Sequence, residues 1–169
     1  MSAVRGRAVK FCVIQLMPVQ CLIIRSVGRF RGPHMQSLMK AVSNLDCYRE
    51  AQILHDMRWV DFDVPIDEVM NVARNYPRRP RNGRLAVVSS SNLGFGMLRV
   101  IASVRENAGR TVCAFLDIAE ALEWLSLAGF GGVIPEHVEA ELSGHIGADD
   151  FDQDAFGITM RTMNEAPAG

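Results

Sequence analysis

Residues 85–98 read LAVVSSSNLGFGML and decide the fold class. The first four residues form a short, continuous apolar run, which is typical of a central strand in a parallel sheet. A polar turn ends the run, and a helix follows whose predicted apolar face consists of Leu93, Met97, Val100, Ile101 and Val104. A buried strand that leads through a short turn into an amphipathic helix predicts one βα unit of an α/β protein.

The chain before this unit begins with a predicted hairpin. Residues 9–17 and 20–27 are rich in strand-forming residues, and Pro18 lies between them, where it suits a turn and not a strand. An amphipathic helix is predicted after Pro33, because apolar residues follow at i, i+3, i+4 and i+7. The amino-terminal part therefore adds two antiparallel strands and a helix.

Two more βα units complete the predicted order. Residues 52–57 fit a third strand, and Pro65 opens a second helix with the same apolar spacing as the first. Residues 111–116 fit a fifth strand, and Asp117 is a suitable N-cap for a fourth helix. The order ββαβαβαβα predicts an α/β fold with a mixed five-stranded sheet.

Length and composition predict one main domain. At 169 residues and 49% hydrophobic, the chain can form a single core without disulfides. We place an α/β domain at 1–128 and a C-terminal extension at 129–169. The extension is expected to contain one short helix at 135–142 and an acidic, partly disordered tail after Asp149.

Several classes of function have no support in the composition. The four cysteines form no C-x-x-C pair and the four histidines are dispersed, so no metal site and no cofactor are expected. The apolar stretch 11–24 is too short and too polar to span a membrane, which favours a cytoplasmic protein. The basic segment 77–84 contains two prolines and no aromatic residue, so we interpret it as a solvated loop and expect no nucleic acid partner.

Three segments together suggest a family. LHDMR at 54–58, LAVV at 85–88 running into GFGMLR at 94–99, and FLD at 115–117 leading to ALEWL at 121–125 occur in that order. In this combination the chain resembles the STAS domain, in the SpoIIAA-like branch of small bacterial proteins. The resemblance covers residues 11–127 and implies a small mixed sheet with helices packed mainly on one side.

The resemblance also implies a role in regulation or ligand binding. Sporulation-type members are anti-anti-sigma factors that are phosphorylated on a serine or threonine at the start of the helix after the third strand. Here the corresponding region, 60–67, reads VDFDVPID and contains no hydroxyl residue. We therefore expect a regulatory or binding relative that lacks the usual phosphorylatable serine.

The candidate binding residues lie where two predicted strands end, because ligands of open α/β sheets bind outside the carboxyl ends of the strands. One crevice is expected to collect both sets, and an anion or a polar head group would suit the helix N-terminus there. The third strand supplies Asp56, Arg58, Asp61 and Asp63, the fourth supplies Ser89, Ser91, Asn92, Gly94 and Gly96, and Arg99 is expected to reach across from the polar side of the third helix.

Each of these residues also has a structural interpretation. Ser91 or Asn92 can cap the third helix, and the glycines can allow close helix packing. Arg99 can form an ordinary surface ion pair. His55 and Asp56 are expected to point to opposite faces of their strand and so not to pair directly. The tryptophans are interpreted as core or interface residues.

The sequence favours binding over catalysis, since no catalytic nucleophile motif is present. The leading hypothesis is a non-enzymatic, homodimeric, STAS-like module that recognises a protein partner or a small amphipathic or anionic ligand. One alternative is a lipid carrier whose Met-rich first and second helices adapt around an acyl chain. The other is a small hydrolase or transferase that uses Asp56, Ser89 and Arg99.

Overall fold

The structure is a computed structural model that describes residues 10–17, 20–75, 82–106, 111–127 and 158–162. In chain order, the strands and helices are β1 Lys10–Met17, β2 Cys21–Arg29, α1 Gly32–Ser43, β3 Gln52–Asp61, α2 Ile66–Arg74, β4 Leu85–Val88, α3 Asn92–Glu106, β5 Val112–Phe115, α4 Ile118–Trp124 and β6 Ile158–Thr162. A short 3₁₀ helix, Asp46–Arg49, lies between α1 and β3.

The strands form one mixed sheet in the order β5-β4-β3-β2-β1-β6. β2, β3, β4 and β5 run parallel to one another, β1 is antiparallel to β2, and β6 is parallel to β1. The predicted α/β class and the order ββαβαβαβα are confirmed, including the initial hairpin.

The number of strands was predicted wrongly. The described residues contain six strands and not five, because β6 adds to the edge of the sheet beside β1. β6 falls inside the predicted acidic tail. Apolar and polar residues alternate in it, but the stretch is too short for the alternation to have been recognised. The predicted helix at 135–142 lies outside the described residues, and the domain boundary at 128 stays a prediction.

Alternation along the parallel strands gives the sheet two apolar faces. α1, α2 and α3 cover one face, on which Leu22, Ile24, Ile53 and Val87 are buried. α4 covers the other face, where Leu122 and Leu125 pack against Cys21, Ile23, Leu54, Ala86 and Val88. The prediction that the helices pack mainly on one side is therefore confirmed. We call the face covered by α1, α2 and α3 the three-helix face, and the face covered by α4 the α4 face.

α3 is turned relative to the prediction. Leu93, expected on the apolar face, is 56% exposed, while the side of the helix that is buried carries Gly94, Leu98, Ile101, Ala102 and Arg105. The physical reason is the close approach at Gly94, where an added Cβ would collide with Ser89 Oγ and lie 2.9 Å from Phe62 Cδ2. Only a residue without a side chain lets the helix pack this closely against the end of β4.

β3 carries a bulge near its carboxyl end. Arg25 of β2 pairs with Asp56, but the next paired position joins Val27 to Trp59, so β3 has one extra residue. Met57 and Val60 consequently both pack into the three-helix face. Asp56 and Trp59 point to the α4 face. The bulge thus changes which side chains β3 presents where it leaves the sheet.

Candidate binding site at the carboxyl ends of the strands

A buried carboxylate organises the end of β3. Asp56 is 0% exposed, and its Oδ2 accepts hydrogen bonds from Arg25 Nε at 2.9 Å and from Arg58 Nη2 at 3.0 Å. Its Oδ1 accepts from Arg58 Nε at 2.9 Å and from the backbone N–H of Arg58 at 3.2 Å. A carboxylate this far from water is tolerated only when it is paired and fully hydrogen-bonded, as it is here.

Trp59 completes this group, which we call the Asp56 cluster: Arg25, Asp56, Arg58 and Trp59. The guanidinium carbons of Arg25 and Arg58 each lie 4.5 Å from the centre of a Trp59 ring, within the range of cation–π attraction. Arg25 is buried, whereas the Arg58 side chain is 21% exposed. The cluster therefore runs from the sheet interior to the surface.

His55 lies on the opposite face of β3, as strand alternation predicts. Its Nε2 is 2.8 Å from the hydroxyl oxygen of Ser26, and both residues are buried. Burial lowers the pKa of His55 to about 3, although the charge of Asp56 opposes the change. His55 is therefore neutral near pH 7 and serves as a hydrogen-bonding core residue.

The serine side chains in the turn after β4 mainly form hydrogen bonds that hold the turn and the start of α3. Ser91 Oγ accepts a hydrogen bond from the backbone N–H of Gly94 at 3.0 Å, so Ser91 caps α3 as the structural interpretation predicts. Ser89 is buried, and its Oγ lies 3.4 Å from the backbone nitrogen of Ser91. Asn92 is exposed, and a Cβ added at Gly96 would meet nothing within 4 Å.

The two predicted residue sets do meet, because β3 and β4 are neighbours in the sheet. The contact is made by Ser90, whose Oγ donates to the backbone carbonyl of Arg58 at 2.6 Å. Farther along the chain, Asp61 and Asp63 are exposed. Asp61 Oδ1 accepts from the backbone N–H of Asp63, and the Asp63 carbonyl accepts from Arg29 Nη2 at 2.9 Å.

Arg99 does not extend toward the crevice. Its guanidinium carbon lies 5.9 Å from the centre of the Phe95 ring, and the residue lines an open recess of about 470 Å³ together with Met70 and Val100. Among the described residues, the Asp56 carboxylate is paired with Arg25 and Arg58. The expectation that Arg99 reaches Asp56 or Asp63 was wrong, because α3 is rotated and this side chain lies beside Phe95 in the recess that Met70 also lines.

Two members of the Asp56 cluster were not predicted as site residues. Arg25 follows a run of four buried residues in β2 and is itself buried. An arginine inside an apolar strand run needs a buried partner, and this was the signal in the sequence that could have identified Arg25. Trp59 was interpreted as a core or interface residue, since without the bulge its position on the α4 face could not be derived.

The exposed apolar residues share one location. In the described part of the chain, four large hydrophobic side chains are exposed, and all lie at or just after the carboxyl ends of β3, β4 and β5. They are Trp59 at 43%, Ile66 at 44%, Leu93 at 56% and Leu116 at 44%. We call these four residues the carboxyl-end surface. It coincides with the edge at which open α/β sheets bind ligands.

The described residues contain no cluster of metal ligands, and one buried thiol is held in its protonated form. Within the described ranges, no group of three or more histidine, cysteine or acidic residues could hold a metal ion. Burial raises the pKa of the Cys21 thiol to about 12, so this thiol stays protonated near neutral pH. None of the helices that the structure describes is long and apolar enough to cross a membrane.

Comparisons with known proteins concern the fold. No family model matches the sequence, and no curated protein matches it. Among solved structures, the chain is similar to the crystal structure of an uncharacterized protein from the DUF3478 family, with a SpoIIAA-like fold, from Shewanella loihica PV-4. The similarity has 15% sequence identity and a TM-score of 0.48, and it covers 74% of this chain and 99% of that chain. That description names the fold type predicted from the sequence.

Proposed function

We propose that this chain is a non-enzymatic, STAS-like binding module that docks a protein partner on the carboxyl-end surface. The observation that carries the proposal is the shared location of Trp59, Ile66, Leu93 and Leu116. Exposed apolar residues are unremarkable when scattered singly, but their concentration at one edge is typical of an interaction site. Aromatic residues and arginine are also enriched in such sites.

The contacts of the reactive side chains support binding over catalysis. The oxygens of Asp56 are occupied by Arg25 and Arg58, so this carboxylate is not available as a general base. His55 is buried, neutral and paired with Ser26. Ser89 is buried and contacts its own turn. The hydrolase or transferase alternative required Asp56, Ser89 and Arg99 in one crevice, and Arg99 lies elsewhere.

The lipid-carrier alternative gains no comparable support. The Met-rich first and second helices were expected to adapt around an acyl chain, but Met35 and Met39 of α1 are buried in the core of the three-helix face. In our proposal the regulation does not use phosphorylation of residues 60–67, because no hydroxyl group is present there. The cytoplasmic location and the homodimer also remain predictions, and a second copy of the chain is one outcome of the test below.

Site-specific photocrosslinking in cells tests the proposal. A photoreactive phenylalanine analogue is placed at Leu93 or Leu116, and at Thr111 as the control. Thr111 is also exposed, but it precedes β5 and lies at the opposite ends of the parallel strands. We expect one discrete cross-linked species from Leu93 and from Leu116, and none from Thr111. The mass and peptides of that species tell a different protein from a second copy of this chain.

A second substitution makes the test specific. Leu93→Asp, combined with the photoreactive group at Leu116, should abolish the cross-linked species by placing a charge in the interface. Leu93 is mostly exposed and lies in the first turn of α3, where a negative charge does not disturb the helix. Equal crosslinking from Thr111, or no discrete species from either leucine, would contradict the proposal.

A further inference from the structure

We propose that Arg58 and Trp59 form a seat for a carboxylate that is attached to a planar apolar group. The inference rests on the proposed binding function and defines the chemistry that one part of the carboxyl-end surface recognises. The carboxylate can belong to an acidic side chain beside an aromatic residue in a protein partner, or to a small aromatic acid. The chemistry is the same in both cases, and the experiment below separates them.

Arg58 is held in place from behind. Its Nε and Nη2 donate to the two oxygens of Asp56 at 2.9 and 3.0 Å, so the guanidinium plane is fixed by a buried anchor. The hydroxyl of Ser90 also holds the backbone of Arg58 by donating to its carbonyl. A side chain that is already ordered loses little conformational entropy when it binds.

The outer part of Arg58 remains available. Its side chain is 21% exposed, and among the described residues its Nη1 has no hydrogen-bond partner. Because guanidinium donors lie in a rigid fork, the same group can bind Asp56 on one side and a second oxyanion on the other. Charge-assisted hydrogen bonds of this kind are among the strongest polar contacts in proteins.

Trp59 supplies the apolar half of the seat. Its side chain is 43% exposed, and the Arg58 guanidinium carbon lies 4.5 Å from a ring centre, so the two groups are adjacent. An exposed indole offers a large flat area for an aromatic group in offset or edge contact. The bulge in β3 is what brings Trp59 to the same face as Asp56.

The charged groups around the Trp59 ring predict the charge of the ligand. An isolated tryptophan would attract a cation, but the guanidinium groups of Arg25 and Arg58 already lie against this ring. A further cation would be repelled by both arginines. The negative charge of Asp56 is enclosed by its partners and is 0% exposed, so it does not face the ligand. An anion is the ligand that these charges favour.

Binding of two defined probes tests the seat. The small-acid probe is 2-naphthoate, the peptide probe is acetyl-Asp-Phe-amide, and the neutral control is 2-naphthamide. Ligand-observed NMR gives each affinity, and the two indole N–H signals of ¹⁵N-labelled protein show where the probe binds. Trp59→Phe assigns these signals, because Trp124 is the other tryptophan.

Arg99→Gln is the matched control variant, because Arg99 also lies beside an aromatic ring but has no carboxylate anchor among its described contacts. We expect at least one acidic probe to bind in the millimolar range and to shift the Trp59 signal, with no shift from 2-naphthamide. Arg58→Gln should weaken binding about tenfold or more, as expected for lost hydrogen bonds to a charged group. Arg99→Gln should leave binding unchanged.

Each outcome either supports the proposed carboxylate seat or overturns it. The acidic probe that binds shows whether the carboxylate comes from a peptide or from a small acid. Equal binding of 2-naphthamide, retained binding by Arg58→Gln, or no shift of the Trp59 signal with either acid would overturn the seat. If Arg58→Gln fails to fold, Trp59→Leu and the comparison of acid with amide still decide. Crosslinking from Leu93 and Leu116 is independent of these probes, so failure of the seat alone leaves the docking surface intact.

Discussion

Ser26 and His55 form a neutral hydrogen-bonded pair, whereas their chain neighbours Arg25 and Asp56 form a charged one. The first pair lies on the three-helix face and the second on the α4 face, because consecutive residues of a strand point to opposite sides of the sheet. All four residues are buried, but the two pairs depend on different partners.

The difference shows what each kind of buried polar group needs. A neutral imidazole and a hydroxyl share a hydrogen bond under the helical layer and carry no charge that needs a counter-ion. The carboxylate of Asp56 needs two arginines and a backbone N–H, and one of these arginines reaches the surface. Charges thus occur where the sheet end allows several partners to converge.

Removing the buried carboxylate should have the largest effect on stability. Asp56→Ala leaves the buried guanidinium of Arg25 without this anion, and we expect a loss of about 3–5 kcal/mol in the free energy of unfolding. Urea denaturation measures the change. Glu123→Ala, an exposed acidic residue of α4, is the control and should change the free energy by no more than about 0.5 kcal/mol.

A double variant sharpens this result. Arg25→Met with Asp56→Leu removes both buried charges, and it should be less destabilised than Asp56→Ala alone, since the cost of an unmatched charge disappears. If the double variant is at least as unstable as Asp56→Ala, then lost packing and not charge pairing explains the effect, and the contrast between the two faces fails.

The neutral pair should make stability depend on pH. In the unfolded chain His55 binds a proton with its ordinary pKa of 6.5, whereas in the folded protein that pKa is about 3. Between these values the unfolded state holds more protons, so stability falls as the pH decreases, by up to about 1.4 kcal/mol per pH unit. From pH 7 to pH 5 the contribution of His55 is a loss of about 2 kcal/mol.

His55→Gln isolates this contribution from that of the other histidines. Its stability should decrease less than that of the wild type between pH 7 and pH 5, as measured by urea denaturation at each pH. Parallel pH profiles for the two proteins would show that His55 is not held neutral by the fold, and the description of the Ser26 pair would have to change.

Alanine substitutions at two glycines of α3 test how closely this helix packs against the sheet. Gly94→Ala places a methyl group against Ser89 Oγ and the Phe62 ring, and we expect a loss of about 1–3 kcal/mol. Gly96→Ala meets open space and should stabilise the helix by about 0.5–1 kcal/mol. Thermal unfolding compares them, and the same sign for both would contradict the close approach at Gly94.

Periodicity and strand propensity were enough to predict the order of elements and the side on which most helices pack. They did not predict the rotation of α3, because Leu93, Met97 and Val100 make an apolar stripe as regular as the one that is buried. That rotation depends on the close contact at Gly94. A contact between distant residues leaves no periodic signal in either segment.

The strand-end location of the site was predictable, but its membership was not. Asp56 and Arg58 were recognised as charges at the end of a strand. Trp59 joins them because of a bulge, and a bulge is a one-residue change of register that alternation cannot reveal. The misplacement of Arg99 follows directly from the misplaced face of α3.

The pairing of β1 with β6 has a consequence for how the sheet is completed. Val13 aligns with Ile158, so the two strands come from distant parts of the sequence, whereas β2 follows β1 directly. Contacts of such long sequence separation form slowly, and during synthesis one edge of β1 stays open until β6 has been made. An open strand edge is a template for pairing with other chains, so a chain truncated before β6 would carry an aggregation-prone edge.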